Sequence, residues 1–110
     1  MHKCLITVVK RTISPDLIEL YLNDNYRNRG FGPCELFNEG QQFLVENANT
    51  MPPGFCAWAW VDIHRELVAV MSGGDLEWMK EKGTALTCCT DGFRPVIFKL
   101  TRLEEEFSQP

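Results

Sequence analysis

Two glycine-framed cysteine segments carry the residues most able to do chemistry. The first is Pro53-Gly54-Phe55-Cys56-Ala57-Trp58-Ala59-Trp60-Val61-Asp62-Ile63-His64, and the second is Cys88-Cys89-Thr90-Asp91-Gly92-Phe93-Arg94-Pro95. Cys56 follows a proline-glycine turn and opens an apolar stripe at helical spacing. The spacing places it in the first turn of a helix, where unpaired backbone N–H groups stabilise an anion and favour a thiolate. Its other reading is a small apolar residue packed under a strand. Cys88 and Cys89 are neighbours on a strand, so their side chains point to opposite faces and only one can join a given site. Cys34 ends a polar loop after Gly30-Phe31-Gly32-Pro33, which suits either a mobile ligand or an anchor that buries the loop end. Cys4 lies in an apolar strand and reads as core.

A metal site drawn from these residues would use Cys34, Cys56 and Cys88 or Cys89, with His64 or water as a fourth ligand. Zinc accepts such a set, although paired cysteines two to four residues apart are absent. Copper(I) would take two or three thiolates, and iron is a further candidate. His64 shares an i, i+4, i+8 row with Cys56 and Trp60, from which it could orient a ligand or move a proton; its alternative is a histidine without a role. Asp62, His64 and Asp91 are the candidate acid–base groups. Each aspartate also has a structural explanation: Asp62 on the polar helix face, Asp91 in a hairpin turn. Trp58, Trp60 and Trp78, with Phe55, are candidates to line an apolar ligand pocket, or else packing residues. Arg94 could bind an anion. No phosphate loop, dinucleotide fingerprint, catalytic serine order or metalloprotease helix motif is present.

The bulk of the chain narrows the classes. At 110 residues it has room for one domain with a single core. Net charge is −4, and basic residues cluster no more densely than the pair Lys10-Arg11, which argues against nucleic-acid binding. The most apolar stretch, Phe55 to Val61, is too short to span a membrane. Met1-His2-Lys3 runs directly into a strand-like pattern without a signal-peptide core. A cytoplasmic location is therefore expected, and five cysteines at irregular spacing read as thiols or ligands rather than a disulfide framework.

The elements that must position these residues follow from periodicity. Cys4 to Arg11 reads as a strand apolar on both faces, which suits an interior strand covered on both sides. Ser14-Pro15-Asp16 starts a short helix that ends near Leu22, with Ser14 as its cap. Asn23 to Pro33 is polar loop, and Gln42 to Val45 a short strand. A second helix runs from about Cys56 to Met71, with Cys56, Trp60, Ile63, Leu67 and Val70 on one stripe, and stops at Ser72-Gly73-Gly74. Asp75 to Lys80 suggests one more helical turn with Trp78 packing back. Thr84 to Thr90 and Val96 to Leu103 form two strands joined through Asp91-Gly92, in a loop that Pro95 lengthens. His2 and residues 104–110 are expected to fray. The result is a single α+β domain over 1–103, order β-α-β-α-β-β, with a C-terminal antiparallel hairpin, two helices packed on the sheet, and an acidic tail over 104–110.

The segments Gly32-Pro33-Cys34, Glu39-Gly40-Gln41-Gln42-Phe43, Pro53 to Trp60, Gly73-Gly74 before Trp78, and Cys88 to Val96 together resemble a family of small, functionally uncharacterised prokaryotic proteins of about this length. The resemblance brings no activity with it. It implies that Cys34, Cys56 and the Cys88-Cys89 pair belong to one pattern. Several members of the family it resembles have a histidine shortly after the first cysteine, where this chain has Phe37-Asn38.

Three functions follow as expectations. The first is a cysteine site that binds a soft metal or does thiol redox chemistry, with Cys56 as thiolate and Cys34 as mobile partner. The second is a small enzyme or binder of a small-molecule ligand, using the aromatic pocket and Asp/His groups. The third is a homo-oligomerising module with structural cysteines.

Overall fold

In a computed structural model that describes residues 1–106, the elements run β1 (His2–Arg11), α1 (Pro15–Tyr21), α2 (Asp24–Arg27), β2 (Gln42–Val45), α3 (Ala57–Met71), β3 (Thr84–Cys88) and β4 (Val96–Glu106). The four strands make one antiparallel sheet in the order β2-β1-β4-β3, with β3 and β4 as a hairpin. This is the expected α+β domain with its C-terminal hairpin, except that α3 alone of the two expected helices packs on the sheet. The added element is α2, a single turn within the stretch read as loop; Asn23 caps it by accepting the Asn25 N–H. None of the described helices is long and apolar enough to cross a membrane.

Helix α3 packs on β1, β3 and β4 and supplies the cover of the sheet. Ala59, Ile63, Leu67, Val70 and Met71 are its buried residues. They meet Cys4, Ile6 and Val8 of β1, Phe98 and Leu100 of β4, and Ala85 of β3 in one core. The expected stripe holds for Ile63, Leu67 and Val70, while Cys56 and Trp60 are half-buried at its margin. β1 is interior to the sheet, as expected, but only one of its faces is fully covered. Leu5 and Thr7 are half-buried and Val9 is exposed beside a bulge between Val8 and Lys10. An antiparallel sheet can leave one face to water, and the apolar residues there do not require a second layer.

Other local readings are corrected by tertiary contacts. Ser14 precedes α1, yet its side chain makes no capping bond; its backbone N–H donates instead to the Phe93 carbonyl and ties α1 to the β3–β4 connection. His2 is already part of β1, and Glu104 to Glu106 continue β4 until Glu106 pairs with His2. The remainder of the expected tail, 107–110, lies outside the described residues. Residues 75 to 80 form turns rather than helix, and Trp78 is 75% exposed instead of packing back.

The end of α3 is fixed by two glycines and one arginine. Gly73 takes φ +96°, and Gly74 N–H reaches back to the Ala69 carbonyl while Gly73 N–H bonds Val70. A Cβ on Gly74 would stand 2.8 Å from the Ala69 oxygen, so no other residue fits there without a shift. Arg102 of β4 then donates to the Val70 and Gly74 carbonyls at 3.2 and 2.8 Å and to Asp75 Oδ1 at 2.9 Å. The Asp75 carboxyl is held below its usual range, first by the Arg102 hydrogen bond and then by the Gly83 N–H.

Arg102→Ala removes the side-chain donor to the Val70 and Gly74 carbonyls and is expected to cost about 1–3 kcal/mol in urea unfolding. A group whose folded pKa is depressed contributes stability above its unfolded value and loses it as pH falls through the folded one. Asp75→Asn should therefore remove part of the acid-side loss of stability, measured as thermal midpoint against pH.

Candidate functional site

The start of α3 and the long β3–β4 connection enclose a cleft of about 450 Å³. Three cysteines line it, each from a different segment: Cys34 from the loop before β2, Cys56 from the start of α3, and Cys89 just beyond β3. Trp58, Asp62, Asp91, Phe93 and Arg94 line it too, with Leu36, Phe37 and Thr90. All five cysteines of the chain are free thiols.

Each thiol is placed by local structure. Gly54, at φ +82°, and the Phe55 N–H to Pro52 carbonyl bond turn the chain so that Cys56 becomes the residue immediately before α3. That is one position earlier than the sequence suggests. The Cys56 carbonyl accepts the Trp60 N–H, but its sulfur makes no cap bond to the helix start. Cys89 pairs through its backbone N–H with the Val96 carbonyl, and its Sγ accepts the Val96 N–H at 3.3 Å. Cys88, one residue earlier on the strand, is exposed and outside the cleft. The alternation of strand side chains thus selects Cys89 as the cleft thiol. Cys34 is fixed through its carbonyl, which accepts from Arg11 Nη1 at 3.2 Å. Cys4 is fully buried in the core, and burial pushes its thiol up to about 12.

The polar groups of the cleft are largely engaged in building it. Asp62 Oδ2 accepts both the Thr90 N–H, at 2.8 Å, and the Thr90 hydroxyl, at 3.0 Å, so the helix is latched to the segment that carries Cys89. Asp91 Oδ1 accepts the N–H groups of Phe93 and Arg94 at 2.9 and 3.2 Å, an aspartate turn that explains why a loop of seven residues, 89–95, replaces a two-residue hairpin turn. Arg94 lies with its guanidinium 4.1 Å over the Phe31 ring and donates from Nη1 to the Gly32 carbonyl at 3.2 Å. Arg94 Nε is 3.6 Å from Asp91 Oδ2.

The floor beneath the cleft is aromatic. Phe37 packs within 5.1 Å, centroid to centroid, of both Phe55 and Phe98, and Phe43 packs 5.0 Å from Phe55. Phe37–Phe98 and Phe43–Phe55 meet edge-on and Phe37–Phe55 is tilted, contacts that fix ring orientation as well as burying area.

Other expected site residues lie elsewhere. His64 Nε2 donates to the Ala48 carbonyl at 2.7 Å and its ring sits 5.4 Å from Trp60, so it anchors the loop before α3 and does not line the cleft. Trp60 packs on Phe55 and does not line it either. Trp78 borders a separate surface hollow with Leu76 and Leu86. Among the described residues, no three His, Cys, Asp or Glu side chains are grouped so as to hold a metal ion. Sequence reasoning missed Leu36, Phe37 and Thr90. The pairing of Thr90 with Asp62 had no local signal, because it joins residues from two distant segments. Comparison with known protein families, with curated proteins and with solved structures finds no match to this chain.

Exposure ranks the thiols. In the native protein iodoacetamide should alkylate Cys88 fastest and Cys34, Cys56 and Cys89 more slowly. Cys4 should remain unmodified until denaturant is added, as read by peptide mass spectrometry.

Proposed function

We propose that this protein acts through thiol chemistry in the cleft, on small molecules containing a disulfide. The observation that carries the reading is the convergence of Cys34, Cys56 and Cys89 on one cleft from three segments that are far apart in the chain. Chance placement of small apolar residues in a core would not require three half-buried thiols to share one opening, while the fourth is sealed in the core and the fifth faces outward.

In the proposed step the Cys56 thiolate attacks one sulfur of a low-molecular-weight disulfide. A protein–ligand mixed disulfide forms and the other half leaves as a thiolate. A second cleft thiol, Cys34 or Cys89, then attacks Cys56 Sγ and expels the remaining half. The small disulfide gains two electrons and two cleft cysteines become a disulfide. The Asp62–Thr90 latch and the N–H of Val96 keep the Cys89 segment in place against the helix that carries Cys56.

Thiol exchange is supported better than a metal centre, because the three sulfurs border a common space without being gathered into a ligand group. Zinc, copper or iron binding at Cys34, Cys56 and Cys89 would need these residues to be gathered into a ligand group, which the described residues do not form. Three of the segments that carry the family resemblance, Gly32 to Cys34, Pro53 to Trp60 and Cys88 to Val96, contribute Cys34, Cys56, Trp58 and Cys89 to Arg94 to the walls of one site on this reading. Such chemistry needs free thiols, which fits a reducing compartment such as the cytoplasm.

Incubation with a small aliphatic disulfide, followed by non-reducing peptide mapping, should yield a disulfide joining Cys56 to Cys34 or Cys89. Cys56→Ser should abolish it while leaving the circular dichroism unchanged. A map in which only Cys88 is modified would sink the proposal.

A further inference from the structure

Resting on the reading of the cleft as a thiol site, we infer that the molecule it admits carries a carboxylate, held by the Arg94 guanidinium, and an apolar body that lies against Trp58 and Phe93. A guanidinium has five N–H donors and no acceptor. Among the described residues Arg94 makes one side-chain hydrogen bond, from Nη1 to Gly32. Its Nε is buried without a hydrogen-bond partner, since the 3.6 Å to Asp91 Oδ2 is too long for one. Each cleft aspartate has one oxygen taken up by the protein, Asp62 Oδ2 and Asp91 Oδ1 accepting two bonds each, and Asp91 Oδ2 is ion-paired with Arg94. The Arg94 fork therefore keeps donors on Nη1 and Nη2 that no hydrogen bond to a described residue fills.

The donor is also rigid. Stacking on Phe31, which packs edge-on to Phe93 at 6.2 Å, fixes the plane of the Arg94 fork before any ligand arrives. A planar fork held in this way suits a planar two-oxygen anion, and little side-chain freedom remains to be lost on binding. Arg11, whose Nη1 donates to the Cys34 carbonyl, puts a second guanidinium beside the Cys34 segment, outside the cleft lining. Trp58 is 84% exposed while lining the cleft, an uncovered ring at the rim where an apolar ligand body would rest.

Two aromatic disulfides test this. One is anionic, 5,5′-dithiobis(2-nitrobenzoate), and one neutral, 4,4′-dithiodipyridine. Each is attacked by a cysteine thiolate, leaves half of itself on the protein as a mixed disulfide and releases the other half as a thiolate that can be followed by absorbance. Residue-resolved rates give an anionic-to-neutral ratio for every thiol. Cys88, outside the cleft on the same chain, corrects for reagent reactivity and for the net charge of −4. The ratio at the cleft thiols should exceed that at Cys88 by about tenfold, the size of one charge-assisted bond. It should fall to the Cys88 value in Arg94→Gln and be partly kept in Arg94→Lys. Equal ratios at cleft and outer thiols in the wild type would overturn the inference and leave the thiol reading standing. If the cleft thiols react with neither reagent, the thiol reading fails. The carboxylate is then decided by the Trp58 indole NMR shift with 3-phenylpropionate against 3-phenylpropanamide. A shift with the acid alone, lost in Arg94→Gln, upholds the inference, and no such difference overturns it.

Discussion

The pairing of β1 with β4 joins nearly the first residue of the chain to nearly the last described one, and the other elements are arranged around it. Along this pair Ile6 faces Leu100 and Val8 faces Phe98, which makes the apolar floor that α3 covers. Its far end, where Arg11 meets Val96, determines the cleft. There Val96 presents its N–H to the Cys89 sulfur, and Arg11 reaches the Cys34 carbonyl. Because an antiparallel register is specified by which face is buried, the same apolar pattern that builds the core sets where these two cysteines stand. Loss of this register would disperse the thiols as well as the core.

The second constraint is the junction of Phe37, Phe43, Phe55 and Phe98. These rings come from the loop before β2, from β2, from the approach to α3 and from β4. They draw together the same segments that carry Cys34 and Cys56. The cleft is thus built on close-packed aromatic residues rather than on mobile loop alone, and its cysteines are supported by neighbours in sequence that are themselves buried: Phe55 before Cys56, and Phe37 shortly after Cys34.

Much of this was legible in the sequence. The strand of Cys4 to Arg11, the Pro-Gly approach to α3, its Gly73-Gly74 stop and the Asp91-Gly92 turn are local signals that the structure follows, although β1 is covered on one face and not on the expected two. The parity of Cys88 and Cys89 showed that only one could enter a site, though not which one. What failed to show is what depends on tertiary position. His64 sits on the margin of a helical stripe and looks available for proton transfer, until the Ala48 carbonyl takes its ring N–H. Asp62 falls on the polar side of α3 and looks solvated, yet Thr90 claims one of its oxygens. Trp78 was expected to pack because tryptophan usually does, but the turns after Gly74 carry it outward. Arg102, which fixes the end of α3, carries no mark in the sequence beyond a charge near the end of a strand.

The central claim is that three thiols share one functional cleft. Dibromobimane, which becomes strongly fluorescent when both of its arms have alkylated thiols, measures this directly on the native protein. The account predicts that its bridges, located by peptide mass spectrometry, join Cys56 to Cys34 or Cys89, and that Cys56→Ser removes them. Bridges confined to the neighbours Cys88 and Cys89, or single attachments alone, would contradict it.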